Sequence, residues 1–478
     1  MQFEPVIGLE VHAQLATHTK LFCSCHYEYG AAPNTQTCPV CLGMPGVLPV
    51  LNRQAVEYAI KMGLATDCTI RPFSRFARKN YFYPDLPKGY QISQYDEPLC
   101  YDGGVDIEYD DGEIKRIGLT RIHLEEDAGK SIHTKSGGTR VDFNRCGVPL
   151  IEIVSEPDIR SPEEARAYLN KLKQILLYLG VSDCNMEEGS LRCDANISIR
   201  PVGQEEFGTK TEMKNMNSFR GVERALQYEI ERQTEVLESD GTITQDTLLW
   251  NETENRAERM RTKEEAEDYR YFPEPDLLPL EVSEEWLTDI ESNMPELPGE
   301  KRQRFIDSYG LRDYDAGVLT DNRAVAAYFE DVAKESGEAQ LAAKWVMGEV
   351  LRVLKDQSIA MEELSLEPRR FAGLLERVAD KTVNNTVAKQ IFDDMLNSAK
   401  TADEIIEEQG LKQVSDTSEL ETIVEGVIEA NPDEYEKYKN GNPQLMGFFM
   451  GQVMQETQGK ANPQKVKEIL GEKLGKPE

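Results

Sequence analysis

The fold prediction starts from one stretch, Leu191-Arg192-Cys193-Asp194-Ala195-Asn196-Ile197-Ser198-Ile199-Arg200. Its odd-numbered residues are apolar and its even-numbered residues are polar, which is the two-residue period of a β-strand. Such a strand buries one face in a core. The other face carries either chemistry or only solvent, and one strand alone does not decide between them.

Four further segments also set carboxylates and cations beside an apolar strand face: residues 7–14 with Glu10 and His12, 119–125 with His123 and Glu125, 150–154 with Glu152, and 210–214 with Lys210, Glu212 and Lys214. Carboxylates suit a hard metal ion, and phosphates need cations. We therefore predict one sheet whose polar face binds a metal and phosphates. The order of the strands in that sheet stays open.

The composition describes a globular chain of several domains. Its 478 residues are enough for two to four domains, and 39% hydrophobic residues with 8% aromatics are typical of folded proteins. The formal net charge of -32 argues against a surface that coats nucleic acid broadly, because phosphate binding needs clustered Lys and Arg. A local basic groove stays compatible with that charge.

The cysteines and the first residues indicate an intracellular protein. Nine cysteines are an odd number without a secretory signal, so metal ligation or free thiols are expected rather than disulfides. The opening residues Met1 to Pro5 form neither a basic nor an apolar signal region, and no apolar run approaches the roughly 18 residues of a membrane span. We expect a soluble, cytoplasmic protein without membrane contact.

The predicted secondary structure changes near residue 295, from mixed strands and helices to helices alone. Before it, alternating segments are mixed with two clear helices, Pro162 to Leu179, which Ser161 caps and Gly180 ends, and Ser218 to Leu237. Beyond two proline-rich stretches, the chain reads as successive amphipathic helices with a candidate division near residues 400–412. The predicted fold class is α+β, followed by an all-α region.

Four cysteines are spaced as a zinc site. Two close pairs supply the four soft ligands that tetrahedral zinc needs, and their members are Cys23 with Cys25 and Cys38 with Cys41. Reduced thiols without metal are the alternative, and His26 is a candidate substitute ligand. Four cysteines close the coordination shell, so the predicted zinc is structural and not catalytic.

Two further segments predict a phosphate site. The acidic run at 125–127 precedes Gly129-Lys130 and suits Mg²⁺, although an ordinary acidic turn explains this run alone equally well. The segment Arg78 to Tyr90 combines aromatic residues with three cations, which favours a nucleotide or phosphate clamp over a purely structural loop. A Walker A loop is excluded, because Leu124 stands where its first glycine is needed.

Several long motifs are shared with a known family: Gly8 to His12, Pro45 to Asn52, Arg78 to Gln94, Glu125 to Lys130, Val148 to Asp158, Glu187 to Asn196, Lys214 to Phe219, Asp268 to Leu280, Met446 to Phe449 and Gly459 to Pro463. With these motifs the whole chain resembles the GatB/GatE family, the B subunits of aspartyl/glutamyl-tRNA amidotransferase. Motifs of this length are highly specific.

The resemblance implies a two-step reaction. The γ-phosphoryl group of ATP is expected to pass to the side-chain carboxylate of mischarged Glu-tRNA(Gln) and/or Asp-tRNA(Asn). Ammonia, expected from the amidase subunit GatA in a complex with GatC, then displaces phosphate and leaves an amide. Phosphoryl transfer needs mainly positioning and charge neutralisation, so carboxylate-held Mg²⁺ and fixed cations are the expected equipment.

The resemblance also implies roles for single residues. The expected catalytic residues are Glu10, His12, Glu125, Asp194 and Glu212. Of these, Glu10, His12 and Glu125 are expected to hold Mg²⁺, with His12 able to act through water, while Asp194 and Glu212 bind metal or lie on the ammonia side. Lys79, Arg192 and Lys214 are expected to contact phosphates. Three further carboxylates are expected to act from outside the coordination shell, by contacting these ligands and not the metal: Glu126, Asp127 and Glu152.

The implied domains are three. A catalytic cradle similar to the core of glutamine synthetase and guanido kinases is expected at 1–294, with the zinc knuckle at 23–41. A helical domain follows at 295–407, and a YqeY-like tail that faces tRNA occupies 408–478.

Two rival functions stay open on the residues alone. A stand-alone ligase that amidates a small acid explains the polar face but not the long helical region. A zinc-knuckle RNA-binding adaptor without catalysis explains the cysteines, and it predicts that Glu125→Gln or His12→Ala leaves activity intact while cysteine changes abolish it.

Overall fold

The computed structural model describes residues 2–109, 112–134, 137–262, 269–411, 417–457, 459 and 461–475. Asp268 and Lys460, each part of a family motif, lie outside the described residues. The chain divides into two compact units, Met1–Leu297 and Pro298–Glu478. Each unit has buried hydrophobic clusters of its own.

The first unit is a mixture of strands and helices. Its strands are β1 Phe3–Gln14, β2 Thr69–Ile70, β3 Phe73–Ser74, β4 Phe76–Asn80, β5 Tyr90–Gln94, β6 Cys100–Glu108, β7 Ile114–Glu126, β8 Lys130–His133, β9 Thr139–Asp142, β10 Pro149–Ser155, β11 Leu191–Pro201, β12 Thr211–Lys214, β13 Asp246–Asn251, β14 Arg256–Thr262, β15 Phe272–Pro273 and β16 Leu280–Glu281. Its helices are α1 Arg53–Ala65, α2 Pro162–Leu179, α3 Phe219–Glu238 and α4 Glu284–Ser292.

Most of these strands join one large sheet. Its order is β14-β13-β12-β11-β1-β10-β7-β5-β4-β15, with β6 paired to β7 and β2 to β6. The pairs around β1 are antiparallel, and β12 with β13 is parallel. The five strands predicted from the sequence are consecutive neighbours, β12-β11-β1-β10-β7, so the prediction that they share one sheet is confirmed.

The apolar side of this sheet forms the core of the first unit. Buried residues of β1 such as Leu9 and Val11 pack in one cluster with residues of α1, α2 and α3. Helix α2 has the predicted bounds, because Ser161 Oγ accepts the Glu164 N–H at its start and Gly180 ends it at a φ of 65°. The helices cover the apolar face, which leaves the polar face on the other side.

The second unit is built of helices: α5 Pro298–Tyr309, α6 Asp313–Thr320, α7 Arg323–Ser336, α8 Ala339–Trp345, a π-helical turn Val346–Val350, α9 Leu351–Gln357, a 3₁₀ turn Met361–Glu363, α10 Pro368–Ala379, α11 Asn385–Leu396, α12 Ala402–Gln409, α13 Thr417–Ala430, α14 Pro432–Lys439, α15 Leu445–Glu456 and α16 Pro463–Leu474. Their buried side chains form two clusters, one from Phe305 to Leu411 and one from Leu420 to Leu474.

One helical stretch of this unit is not α-helical throughout. It consists of α8, the π-helical turn and α9. The turn contains Gly348, a poor helix former, which helps to explain why regular α-helix is interrupted there. Among the described residues, no helix combines the length and the apolar composition needed to cross a lipid bilayer.

Candidate active site

The eight residues that the sequence assigns to magnesium and phosphate lie on one face of the large sheet. The strand registers pair Glu10 with Asp194, and His12 with Glu152 on one side and Arg192 on the other. Directly paired residues of antiparallel strands point to the same side of a sheet. Further pairs extend this face from β12 to β4. We call it the polar face, and its members are Lys79, Glu125, Glu152, Glu10, His12, Arg192, Asp194, Glu212 and Lys214.

The first group on the polar face consists of His12, Glu125 and Glu152, whose ligand atoms lie within 4.8 Å of one another. His12 Nε2 lies 3.6 Å from Glu125 Oε1 and 3.4 Å from Glu152 Oε2. His123, to which the sequence pattern assigned no role, places Nε2 3.4 Å from the same Glu152 oxygen. Its alternation with Leu124 was the signal for it. Glu152 is thus a central member of the group and not a support behind it.

The protonation of the first group follows from burial and from its neighbours. Burial opposes an imidazolium, but Glu152 and Glu125 outweigh it and raise the pKa of His12 to about 9. Burial lowers the pKa of His123 to about 4. Burial would raise the pKa of Glu152, but His123 and His12 outweigh it, so this pKa is lowered. Burial and the charge of Glu152 raise the pKa of Glu125.

The second group consists of Glu10, Asp194 and Glu212, again with ligand atoms within 4.8 Å. Lys214 Nζ donates to Asp194 and lies 3.0 Å from Glu212 Oε1. Asn196 Nδ2 donates to Glu10 Oε1 at 2.8 Å. Burial and the charge of Glu152 raise the pKa of Glu10. Three carboxylates that share one ammonium leave excess negative charge, and their hard oxygens fit Mg²⁺.

The structure groups the predicted magnesium ligands differently from the sequence prediction. The sequence places Glu10 with His12 and Glu125, whereas its carboxylate lies with Asp194 and Glu212. The cause is the strand register, because Glu10 lies opposite Asp194 and His12 lies opposite Glu152. The polar face therefore offers two ligand sets on adjoining strands, of which the all-carboxylate second group fits Mg²⁺ better.

The predicted phosphate contacts reach the polar face with different partners. Arg192 Nη2 donates to Asp127 Oδ1 at 3.1 Å, and Gln14 Nε2 donates to Asp127 Oδ2 at 2.9 Å. Burial would raise the pKa of Asp127, but Arg192 and Arg145 lower it. Asp127 therefore stays ionised and holds the Arg192 guanidinium. Lys79 Nζ instead lies 4.9 Å from the ring centre of Tyr269.

The predicted clamp at residues 78–90 is only partly present. Arg78 donates to Glu274 at 2.7 Å, and Lys88 pairs with Glu126, so these two cations neutralise carboxylates of the protein itself. Of the three cations, Lys79 is the one on the polar face. Glu126 is likewise an internal partner, because alternate residues of β7 point to opposite sides of the sheet.

The four predicted zinc ligands come together. Their sulfur atoms lie within 4.8 Å of one another, and the residues are Cys23, Cys25, Cys38 and Cys41. A hydrogen bond from the Cys23 thiol lowers the pKa of Cys41 to about 5. His26 stands apart from this set, with Nδ1 3.1 Å from the backbone oxygen of His18. Four convergent sulfurs fit a closed tetrahedral metal site.

Comparisons with known proteins agree with the resemblance in the sequence. Residues 5–288 match the model of the GatB/GatE catalytic domain, and residues 327–474 match that of the GatB domain. The chain is 56% identical over 473 residues to the B subunit of aspartyl/glutamyl-tRNA(Asn/Gln) amidotransferase from Syntrophotalea carbinolica, across 99% of both chains.

Two further relatives carry the same name. The protein of Caldicellulosiruptor saccharolyticus is 56% identical over 480 residues, across 100% of both chains. That of Chlorobium phaeobacteroides is 56% identical over 474 residues, across 99% of this chain and 100% of the relative. The match extends over the strands of the polar face and over the helical unit, and the chain belongs to the GatB/GatE family.

Proposed function

We propose that the chain activates the side-chain carboxylate of mischarged Glu-tRNA(Gln) and/or Asp-tRNA(Asn) with the γ-phosphoryl group of ATP and then directs its amidation. Its relatives are named as the B subunit of an aspartyl/glutamyl-tRNA(Asn/Gln) amidotransferase. The observation that carries the proposal is the polar face, where two groups of candidate metal ligands share one surface with Lys79, Arg192 and Lys214.

Phosphorylation solves a leaving-group problem. A carboxylate oxygen leaves poorly as oxide, so ammonia does not displace it. Once that oxygen carries the phosphoryl group of ATP, the nitrogen of ammonia attacks the carbonyl carbon, the C–O bond breaks, and phosphate leaves with the bonding electrons. The proton lost from nitrogen passes to solvent. Positioned charges support this phosphoryl transfer, and no protein nucleophile is needed.

The residues of the polar face are proposed to have two roles, metal binding and phosphate contact. The second group, Glu10, Asp194 and Glu212, is proposed to hold Mg²⁺, which when bound neutralises charge on the phosphate oxygens. The first group is proposed as a second cation position. Lys79, Lys214 and Arg192 are proposed to neutralise and orient the phosphates, and Asp127 holds Arg192 for this task.

The finer architecture belongs to the same proposal. The first unit is proposed to be a cradle similar to the core of glutamine synthetase and guanido kinases, followed by the helical domain at 295–407 and the YqeY-like, tRNA-facing tail at 408–478. The naming of the relatives as one lettered subunit of an enzyme supports a complex. We propose GatA as its source of ammonia, GatC as its third member, the cytoplasm as its location, and structural Zn²⁺ on the four thiols.

The test follows the phosphorus atom. The chain is incubated with γ-³²P-labelled ATP and Glu-tRNA or Asp-tRNA, alone and with the amidase partner, and the product is examined for a labelled acyl phosphate and for the amide. Without ammonia, we expect the labelled acyl phosphate to form. With ammonia, we expect the amide. Glu10→Gln should abolish the label, and Glu4→Gln, on the same strand but paired with Arg200, should not. Amide formation without any ATP requirement would refute the proposal.

One observation favours a second candidate, a stand-alone ligase for a small acid. The polar face lies entirely within the first unit, which has a hydrophobic core of its own. Free glutamate and aspartate therefore replace the aminoacyl-tRNA in a parallel assay. ATP-dependent amidation of either free acid at the rate seen with aminoacyl-tRNA would favour this candidate.

A further inference from the structure

A buried lysine lies beside the four thiols. The side chain of Lys20 is among the largest fully buried ones, with 1% of its surface exposed. Its Nζ donates to the backbone oxygen of Gln36 at 2.8 Å and to Cys41 Sγ at 3.8 Å. Nearby Lys88 pairs with Glu126, whereas Lys20 has no such carboxylate partner among the described residues.

A buried ammonium needs negative charge close to it, since removal from water is costly without an ionic partner. The four thiols supply that charge when they hold zinc. Four thiolates around Zn²⁺ leave a net charge of about −2 on the centre, and an adjacent ammonium lowers that excess. An N–H donor to a ligating sulfur also orients the ligand from outside the coordination shell.

The backbone around Lys20 joins the thiols to the polar face. The Lys20 N–H donates to the Cys25 oxygen at 2.9 Å, and the next N–H, of Leu21, donates to Gly147 at 2.8 Å. The Gly147 N–H donates in turn to the backbone oxygen of Asp127 at 2.9 Å. Gly147 has a φ of 79°, in the left-handed region that favours glycine, and the position where a Cβ would stand lies 3.5 Å from Cys41 Cβ. A short series of hydrogen bonds thus runs from the thiols to the residue that holds Arg192.

We infer that Lys20 is the counter-charge of the zinc thiolate centre and a positioning residue that ties this centre to the loop at 143–148, between β9 and β10. The inference rests on the proposal that the four thiols bind zinc. It is independent of the amidation chemistry, because it concerns the retention of metal and the order of residues 143–148.

The test compares full-length wild type with Lys20→Met, Lys20→Arg and the control Lys115→Met, which removes a lysine ion-paired with Glu164 instead. Zinc content is measured by elemental analysis, and zinc release to a colorimetric chelator is followed in time. About one zinc per chain is expected. Lys20→Met should release it about 10–100-fold faster than wild type, because losing an outer partner of a metal ligand lowers metal affinity by about that factor. Lys20→Arg should restore most of the retention, and Lys115→Met should match wild type.

Hydrogen exchange gives a second readout, in which amides of residues 143–148 should exchange faster in Lys20→Met. Unchanged zinc release in a folded Lys20→Met would overturn the inference while leaving the zinc proposal intact. A wild type that holds no zinc would overturn both. If Lys20→Met does not fold, Lys20→Gln replaces it, since glutamine keeps an N–H donor without the charge. If Lys20→Gln released zinc at the wild-type rate, that result would equally contradict the inference.

Discussion

His12 and Glu152 face each other across β1 and β10, with 3.4 Å between the imidazole Nε2 and the carboxylate Oε2. The same oxygen lies 3.4 Å from His123 Nε2, so one carboxylate contacts two imidazole rings. Glu152 is 8% exposed, and an isolated carboxylate at that depth would be costly. Its position indicates that the first group is a unit whose members depend on one another.

Glu152→Gln should therefore damage the chemistry beyond the loss of one charge. The amide cannot replace the carboxylate between two imidazoles, and we expect ATP-dependent activation to fall about 10²–10³-fold, as when one electrostatic group of a site is removed. Rates of labelled acyl-phosphate formation measure this. The control is Glu156→Gln, a change just beyond the same strand in a residue that bonds Thr120. Equal rates for the two variants would show that the first group takes no part.

Asp127→Asn should loosen Arg192 without removing it. A hydrogen bond between two charged groups contributes about 1.5–3 kcal/mol, so the KM for ATP should rise about 10-fold or more while the folded state persists. Steady-state kinetics at varied ATP and a thermal unfolding curve separate the two effects. Asp106→Asn, which breaks a surface ion pair with Arg116, is the matched control and should leave the KM unchanged. A wild-type KM in Asp127→Asn would mean that Arg192 does not contact ATP.

Ending the chain after Leu411 should separate the proposed function from the small-acid ligase. Leu411 belongs to the first cluster of the helical unit, and Leu420 begins the second, so the cut leaves the first cluster complete. We expect the shortened chain to keep its far-ultraviolet circular dichroism for the remaining residues and to lose at least about 10-fold in kcat/KM for aminoacyl-tRNA, which is about 1.4 kcal/mol of binding. Full activity on aminoacyl-tRNA would remove the tail from the proposal.

Glu330 on α7 should make the helical unit sensitive to acid. Its bond with Arg304 Nη1, at 2.8 Å, lowers its pKa to about 2 from the ordinary value of 4.5. Because the folded pKa lies below the unfolded one, this bond stabilises the protein fully above about pH 4.5, and the stabilisation is lost as the pH falls from there toward 2.

Glu330→Gln should accordingly lower the free energy of unfolding by about 1–2 kcal/mol at pH 7, after allowance for solvent screening. The difference from wild type should shrink steadily below pH 4.5. Urea unfolding of both proteins at pH 7, 4 and 3 checks this. Glu335→Gln, an exposed position on the same helix, should change little at any of these pH values. A difference that grows toward acid pH would reverse the assigned sign.

Much of the local structure was present in the sequence. The sequence pattern placed β11 and the four strands predicted with it, with their polar residues on one side, because successive strand residues point to opposite faces whatever the neighbours are. Ser161 and Gly180 marked the ends of α2, since capping is a local backbone effect. The spacing of the four cysteines predicted that they converge, because two close pairs supply the four ligands of one tetrahedral metal site.

The grouping of the candidate site residues was decided only by the tertiary structure. Alternation says which face a side chain occupies, but strand register says which side chains meet, and register depends on hydrogen bonds between segments far apart in the chain. Register places Glu10 beside Asp194 and Glu212, and it places Glu152 opposite His12. Other tertiary contacts neutralise Arg78 with Glu274 and Lys88 with Glu126. The sequence by itself determined the chemistry of the polar face, and long-range pairing determined the arrangement in which that chemistry is held.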